Sequence, residues 1–523
     1  MRTFVLFALT MAVLLASTPA IAELQNIIVG GEIRIRANYF TNLDTGNRRS
    51  NLLWPSNLLT GRSIGTGLNF NAPGVTGLFG WDRKENSIDF VEHRTRLNVK
   101  ADFTNNVAAF IEFDSWDIWG EDFRSDYITG ADFASAGNNN LEVYQSYIEA
   151  NEMFGLPLRL RLGRQELSFG SEWLVGVNDA SSFFSGRSFD TARLTYATDI
   201  FSVDVFAAQL FEMGPVERDG DVWFYGVYGS YLGLNDVVLD AYWLWLRDPR
   251  RLTDTNFGWF DEWLEDLFGL DDYDTTNLHT VGLRGAGVIG AFDFEAEFAY
   301  QFGDAGQVGY LFRPNIYGDN NASFSAWAGN LELGYTFDVP WQPRLWVGGA
   351  YFDGEDNRDI SFWEWLNPFN APKASVSFMR LFSNWEYTEF FADGEESNLW
   401  LVRGGVDAMP TESIELAAVV TYFETVDAFA APAHVTLGRW RVPLAPVFSF
   451  WTMRNDKPLG IETGVYVTYH YSESLTFEAG WAHLFVKNGL SDGQFVALNG
   501  LGFTGGTRDH DADYLYLEAR VKF

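Results

Sequence analysis

The sequence of 523 residues contains no cysteine. That excludes a disulfide scaffold, thiolate zinc sites and a cysteine nucleophile. Basic residues are scarce: 36 Lys and Arg stand against 70 Asp and Glu, a formal charge of −34. So acidic a chain lacks the cationic surface that nucleic-acid binding requires, and no nucleic-acid partner is expected. After the N-terminal region there is no run of about 18 consecutive apolar residues, so no helical span follows. A mean hydropathy of −0.10 is too low for a helical membrane bundle. Histidine is rare, at positions 93, 279, 434, 470, 483 and 510 only. Neither a His-Glu-x-x-His motif nor a P-loop occurs. No enzymatic activity and no cofactor are expected.

What is present in quantity is aromatic: 46 Phe, 20 Trp and 22 Tyr, beside 50 Gly. An apolar fraction of 47% is too high for a disordered acidic chain. A large soluble protein or a β-barrel remains, since the half-polar strands of a barrel escape hydropathy averages.

The N-terminus reads as an export signal. Arg2 precedes an apolar run from Phe4 to Ala16, and Ala20-Ile21-Ala22 has the small-x-small form of a cleavage site. Residues 1–22 are expected to be a signal peptide and residues 23–523 a single exported domain.

Alternation fills the rest. Ile33, Ile35, Ala37 and Tyr39 share one face of a segment whose other face carries Arg34, Arg36 and Asn38. Val91, His93, Thr95, Leu97, Val99, Ala101 and Phe103 oppose Glu92, Arg94, Arg96, Asn98, Lys100 and Asp102. The pattern predicts eighteen strands near 27–40, 87–103, 106–117, 141–151, 158–166, 188–198, 200–211, 222–233, 236–247, 277–286, 291–302, 324–337, 343–353, 397–408, 412–424, 458–471, 474–485 and 512–523. Those at 141–151 and 222–233 alternate poorly. The connections alternate too, eight short with nine long, the longest at 41–86, 248–276, 354–396 and 425–457. That rhythm belongs to an antiparallel transmembrane β-barrel with short periplasmic turns and long extracellular loops. Closure satisfies every backbone group within hydrocarbon. Phe292, Phe294, Ala296, Phe298, Tyr300 and Phe302 would face lipid, opposed by Asp293, Glu295, Glu297 and Gln301. The last strand ends on Phe523, in phase with Leu515, Leu517, Ala519 and Val521. This looks like the signal by which the barrel assembly machinery recognises its clients.

Alternation assigns Arg34, Arg36, Arg94, Arg96, Lys100, Arg159, Arg161, Arg193, Arg284, Arg344 and Arg520 to the inner face. Glu92, Glu112, Asp114, Asp293, Glu295, Glu297, Glu332, Glu462, Glu478 and Glu518 share it. The facing of Arg164 and Glu166, at a strand-to-loop junction, stays open. Two readings stand for this wall: an arginine-lined path that recruits carboxylates, or cross-strand ion pairs that stiffen the barrel. The loops hold much of the acidic surplus, and 252–274 reads as a short amphipathic helix. Asp271 to Asp274 and Asp509 to Asp513 are expected to be solvated charge rather than calcium sites, since neither has EF-hand spacing.

Leu160-Arg161-Leu162-Gly163-Arg164-Gln165-Glu166-Leu167-Ser168-Phe169-Gly170 resembles the strand-and-loop motif of the alginate-export family of outer-membrane porins. Phe189 to Leu194, Thr280 to Arg284, Glu295 to Gly303, Pro343 to Leu345 and Gly460 to Glu462 extend the resemblance in family order. It implies an 18-stranded barrel in outer-membrane lipid that passes an anionic solute or polysaccharide. The candidate pathway is Arg94, Arg96, Arg159, Arg161, Arg193, Arg284 and Arg344. The rival readings are a general small-solute porin and a structural or adhesive barrel acting through its loops.

Overall fold

A computed structural model describes residues 23–41, 87–120, 141–177, 179, 186–212, 221–249, 275–304, 322–354, 374–376, 378–390, 398–426, 430–432, 434–437, 440–443, 452–454, 456–491, 495–497, 502–504 and 511–523. The expected signal peptide, the acidic stretch at 252–274, nearly all of the loop at 41–86 and part of that at 425–457 lie outside these residues.

Eighteen antiparallel strands close on themselves. They are β1 (Leu24–Thr41), β2 (Ser87–Phe103), β3 (Val107–Ile118), β4 (Leu141–Ala150), β5 (Leu158–Gln165), β6 (Phe189–Ala197), β7 (Phe201–Phe211), β8 (Val222–Leu234) and β9 (Val237–Asp248). Then follow β10 (Thr276–Ile289), β11 (Phe292–Asp304), β12 (Ala322–Thr336), β13 (Arg344–Phe352), β14 (Leu399–Thr411), β15 (Ile414–Thr425), β16 (Pro458–His470), β17 (Leu475–Val486) and β18 (Ala512–Lys522). Each strand pairs with its sequence neighbours, and β18 returns to β1 with Glu32 opposite Lys522 through Phe40 opposite Tyr514. A short strand at Ala374–Val376 adds to β12 in parallel.

The sequence dictates this wall residue by residue. Ile33, Leu97, Val205, Leu283, Phe298, Leu331, Val402, Val465 and Leu517 point outward and are exposed, whereas Arg36, Glu92, Asp114, Glu297, Glu462 and Glu518 point inward and are buried. The tight turns lie at one end. Asn105 and Asn106 adopt φ of 64° and 58° in the turn after β2, a conformation that Asn tolerates well. The long connections gather at the other end.

The two poorly alternating strands have separate physical causes. β4 carries a bulge where Glu112 and Phe113 meet Gln145 and Val143, so adjacent Tyr144 and Gln145 are both buried. β8 alternates in burial, but its inner face is Val222, Phe224, Gly226 and Tyr228. Hydropathy alternation vanishes there because that wall faces an apolar core. The core lies inside the barrel, toward the end of the long connections. Phe40, Phe189, Leu246, Leu278, Phe324, Phe352, Leu401, Phe423, Leu484 and Tyr514 all belong to it.

Candidate functional site

The inner wall carries its arginines in two groups and two single positions. On β18, β1 and β2, Arg520, Arg34 and Arg94 stand side by side, because Arg34 is opposite Arg520 on one flank and opposite Arg94 on the other. Like charges directly opposite repel. Glu518 answers this by meeting Arg34 at 2.9 Å, Arg36 at 2.7 Å and Arg520 at 2.7 Å. Arg94 meets Glu32 at 2.5 Å. Arg96 meets Asp114 at 2.8 Å and lies over the Tyr144 ring at 4.0 Å.

The second group is Arg159, Arg161 and Arg193. Arg161 of β5 is directly opposite Arg193 of β6. Arg161 pairs with Glu149 at 2.6 Å and Arg193 with Asp204 at 2.7 Å. Arg159 donates to the Thr195 hydroxyl at 3.3 Å and has no carboxylate within ion-pair distance among the described residues. These three guanidiniums therefore share two carboxylates, and all three are half-buried rather than sealed.

Arg284 on β10 and Arg344 on β13 sit apart from both groups, each amid acids. Arg284 meets Asp240 at 2.8 Å and Glu295 at 2.9 Å. Arg344 meets Asp293 at 2.5 Å, Glu332 at 2.8 Å and Asp407 at 3.0 Å. The wall thus separates charge: arginines outnumber carboxylates at β5–β6, and carboxylates outnumber arginines at β9–β14.

Two long connections turn into the barrel, which alternation did not foresee. Residues 166–177 and 378–390 meet inside it: Gly176 N–H donates to Phe382 O and Phe382 N–H to Leu174 O, both at 2.8 Å. Phe169 stacks on Phe206 and Tyr228 of one wall, and Trp173 packs on Phe352 of another. Trp173 Nε1 donates to Tyr387 Oη at 2.8 Å, and Tyr387 Oη donates to Asn330 Oδ1 at 2.9 Å. Gln301 of β11 clasps the backbone of Met379 in both directions, at 2.7 and 2.8 Å. Glu462 of β16 accepts the Glu389 N–H at 3.0 Å. Contacts reaching β7–β8, β11–β13 and β16 place the pair across the lumen. A clue was available: Leu167, Phe169, Trp173, Leu174 and Val175, like Phe378, Leu381, Phe382 and Phe390, are too apolar for loops in water.

The Gly163 to Leu167 run is the hinge of this inward turn. Gly163 has φ of +125°, and a Cβ there would collide with Ser146 O of β4. Arg164 points outward and pairs with Asp190 at 2.8 Å. Gln165 is fully buried, and its side-chain amide donates to Thr191 O at 3.2 Å. Glu166 accepts from Tyr144 Oη at 2.7 Å and lies 3.6 Å from Arg96. Burial holds the Glu166 carboxyl above its ordinary pKa despite that hydrogen bond. Leu167 then enters the core.

Gly61-Arg62-Ser63-Ile64-Gly65 has the spacing of a nucleophile elbow. It lies outside the described residues, in a stretch without the strand-then-helix pattern such an elbow needs.

The alginate export family model matches residues 79–498, and the chain belongs to that family. Comparison with curated proteins gives no match. Solved structures that it resembles include Acinetobacter baumannii OccAB1, at 10% identity over 95% of this chain and 97% of that one, TM-score 0.48. Pseudomonas aeruginosa OccK11 (OpdR) aligns at 10% identity over 95% and 96%, TM-score 0.46. OmpT, an outer membrane protein of Vibrio cholerae, aligns at 10% over 96% and 100%, TM-score 0.36. Family membership and the closed barrel make this protein an outer-membrane channel.

Proposed function

We propose that this channel passes an anionic solute or polysaccharide passively, and that Arg159, Arg161 and Arg193 recruit it. The observation that carries the reading is the uneven sharing at β5 and β6, where three arginines hold two carboxylates and Arg159 keeps its guanidinium edge for a ligand. A planar guanidinium binds carboxylate through two parallel hydrogen bonds, which suits a uronate-like or other carboxylated solute. Arg94 and Arg96 are more deeply buried among their partners and act mainly as wall structure. Arg284 and Arg344 hold the acid-rich wall of β9–β14 together, and the carboxylates that outnumber them there repel anions.

The formal charge of −34 does not oppose this reading. Selectivity follows charges that line the narrow part of a pore, and loop carboxylates are screened beyond about 8 Å at physiological salt. Replacing Arg159 and Arg161 with Glu should move the reversal potential in a salt gradient toward cation preference. A wild-type channel already cation-selective, or an unchanged potential in the double variant, defeats the reading. The paired wall charges of a general small-solute porin would then be the better account.

A further inference from the structure

The wall of the barrel is uneven at its periplasmic end. β18 meets β1 last at Glu32, opposite Lys522. Phe523 adds one reciprocal pair of hydrogen bonds to Gly31, at 2.9 and 3.1 Å. β1 continues beyond this point to Leu24, paired there with β2 alone: Val29 is opposite Val99, Ile27 opposite Ala101 and Leu24 opposite Phe103. In an antiparallel ladder, successive residues direct their N–H and C=O to alternate neighbours. Gly31 addresses the β18 side, so Val29 and Ile27 address it too. No strand stands there among the described residues. The side chains are also uncovered: Leu24, Ile27, Ile28 and Val29 are 48%, 56%, 49% and 59% exposed. Natural proteins shorten, charge or cover such an edge. Residues 24–30 carry no charge, and Ile27, Ile28 and Val29 are apolar on both faces.

We propose that this edge of β1 takes up an extended segment of a periplasmic polypeptide by strand addition, in line with β18 and antiparallel to β1. A row of open N–H and C=O groups is complementary to another extended backbone. The β1–β18 ladder already sets the register and direction that the added segment continues. A second copy of this chain does not fit. Two barrels in one membrane are related by a two-fold axis along the membrane normal, so their β1 strands run the same way. Self-pairing of one edge about a two-fold axis requires opposed strands. The partner is therefore a different chain. Its segment has uncharged apolar residues at its centre, to lie beside Ile27, Ile28 and Val29.

The test uses the full chain in living cells, with a photo-crosslinking residue in place of Gln25. Two backgrounds are compared, I27A/V29A and I27P/V29P. Proline removes only donors on the open edge, because Ile28 and Gly30 make the ladder to β2, and edge strands tolerate proline there. Both variants are expected to run as folded, heat-modifiable barrels. A discrete polypeptide adduct should survive the alanine pair and fall on the order of tenfold with the proline pair, as expected for two lost hydrogen bonds. In the purified barrel, the Ile27 and Val29 amides should exchange as fast as those of an open strand edge. No adduct, an adduct with lipid alone, or an adduct indifferent to proline overturns the proposal. So does slow exchange in the purified barrel, or failure of the proline pair to form one, since either means that the edge donors already have partners.

Discussion

At the scale of single residues, Gly163 shows how a short motif earns its composition. Its φ of +125° and the close approach of Ser146 O leave no room for a side chain. Gly163→Ala must either shift β4 or abandon the turn that carries Leu167 into the lumen. A cost of about 1–3 kcal/mol is expected, seen as a lower temperature for losing the compact, unboiled form on gels. An unchanged transition would mean that the turn relaxes freely. The facing of the wall arginines was legible from alternation alone, because a strand has a period of two whatever surrounds it. Their partners were not. That Arg344 would gather Asp293, Glu332 and Asp407 depends on register across β11–β14, and register emerges only when the strands pair.

At the scale of elements, the eighteen wall strands were legible, because lipid outside and charge inside force alternation on most of them, whereas the short strand at Ala374–Val376 was not. What stayed hidden was the fate of the long connections. Period-two patterning says nothing about a loop, and the segments at 166–177 and 378–390 read as external until their contacts are seen. Their junction suggests a direct experiment. Tyr387 Oη accepts from Trp173 and donates to Asn330, so it ties one inward segment to the other and both to β12. Trp173→Ala combined with Tyr387→Phe empties a buried volume and cuts that tie. The barrel should persist as a heat-modifiable species, since its ladder is untouched, while single-channel conductance rises and fluctuates more. Conductance equal to wild type would show that the segments do not narrow the path. The final strand carries a separate expectation. Phe523 lies at the end of the outward stripe of β18, pairs with Gly31, and covers it with its ring. Deleting Phe523 should reduce the amount of barrel assembled in the outer membrane, if the assembly machinery reads that terminal aromatic. Normal surface levels of a chain ending at Lys522 would count against it.

At the scale of the whole molecule, the seam between β1 and β18 decides whether eighteen strands form a closed wall. Every other pair of neighbours is tethered by its own connection, so a strand that breaks away stays close to its partner. β1 and β18 are the first and last strands of the wall, so no turn joins them and contacts alone hold them together. The backbone ladder from Glu32 to Phe40 supplies part of that hold. Glu518 supplies another part, binding Arg34 and Arg36 across the seam and Arg520 beside it. Its removal would leave three guanidiniums facing one another in a nearly sealed interior. Removing one partner of such a buried pair typically costs about 3–5 kcal/mol, because water does not replace the lost carboxylate in a buried site. Glu149 makes a comparable pair with Arg161, but between β4 and β5, which a turn already joins. If opening of the wall starts at the seam, Glu518→Gln should lower the temperature of conversion to the slow-migrating form far more than Glu149→Gln. Equal shifts for the two would mean that the barrel loosens everywhere at once, and closure would then rest on the backbone ladder as a whole rather than on its one untethered joint.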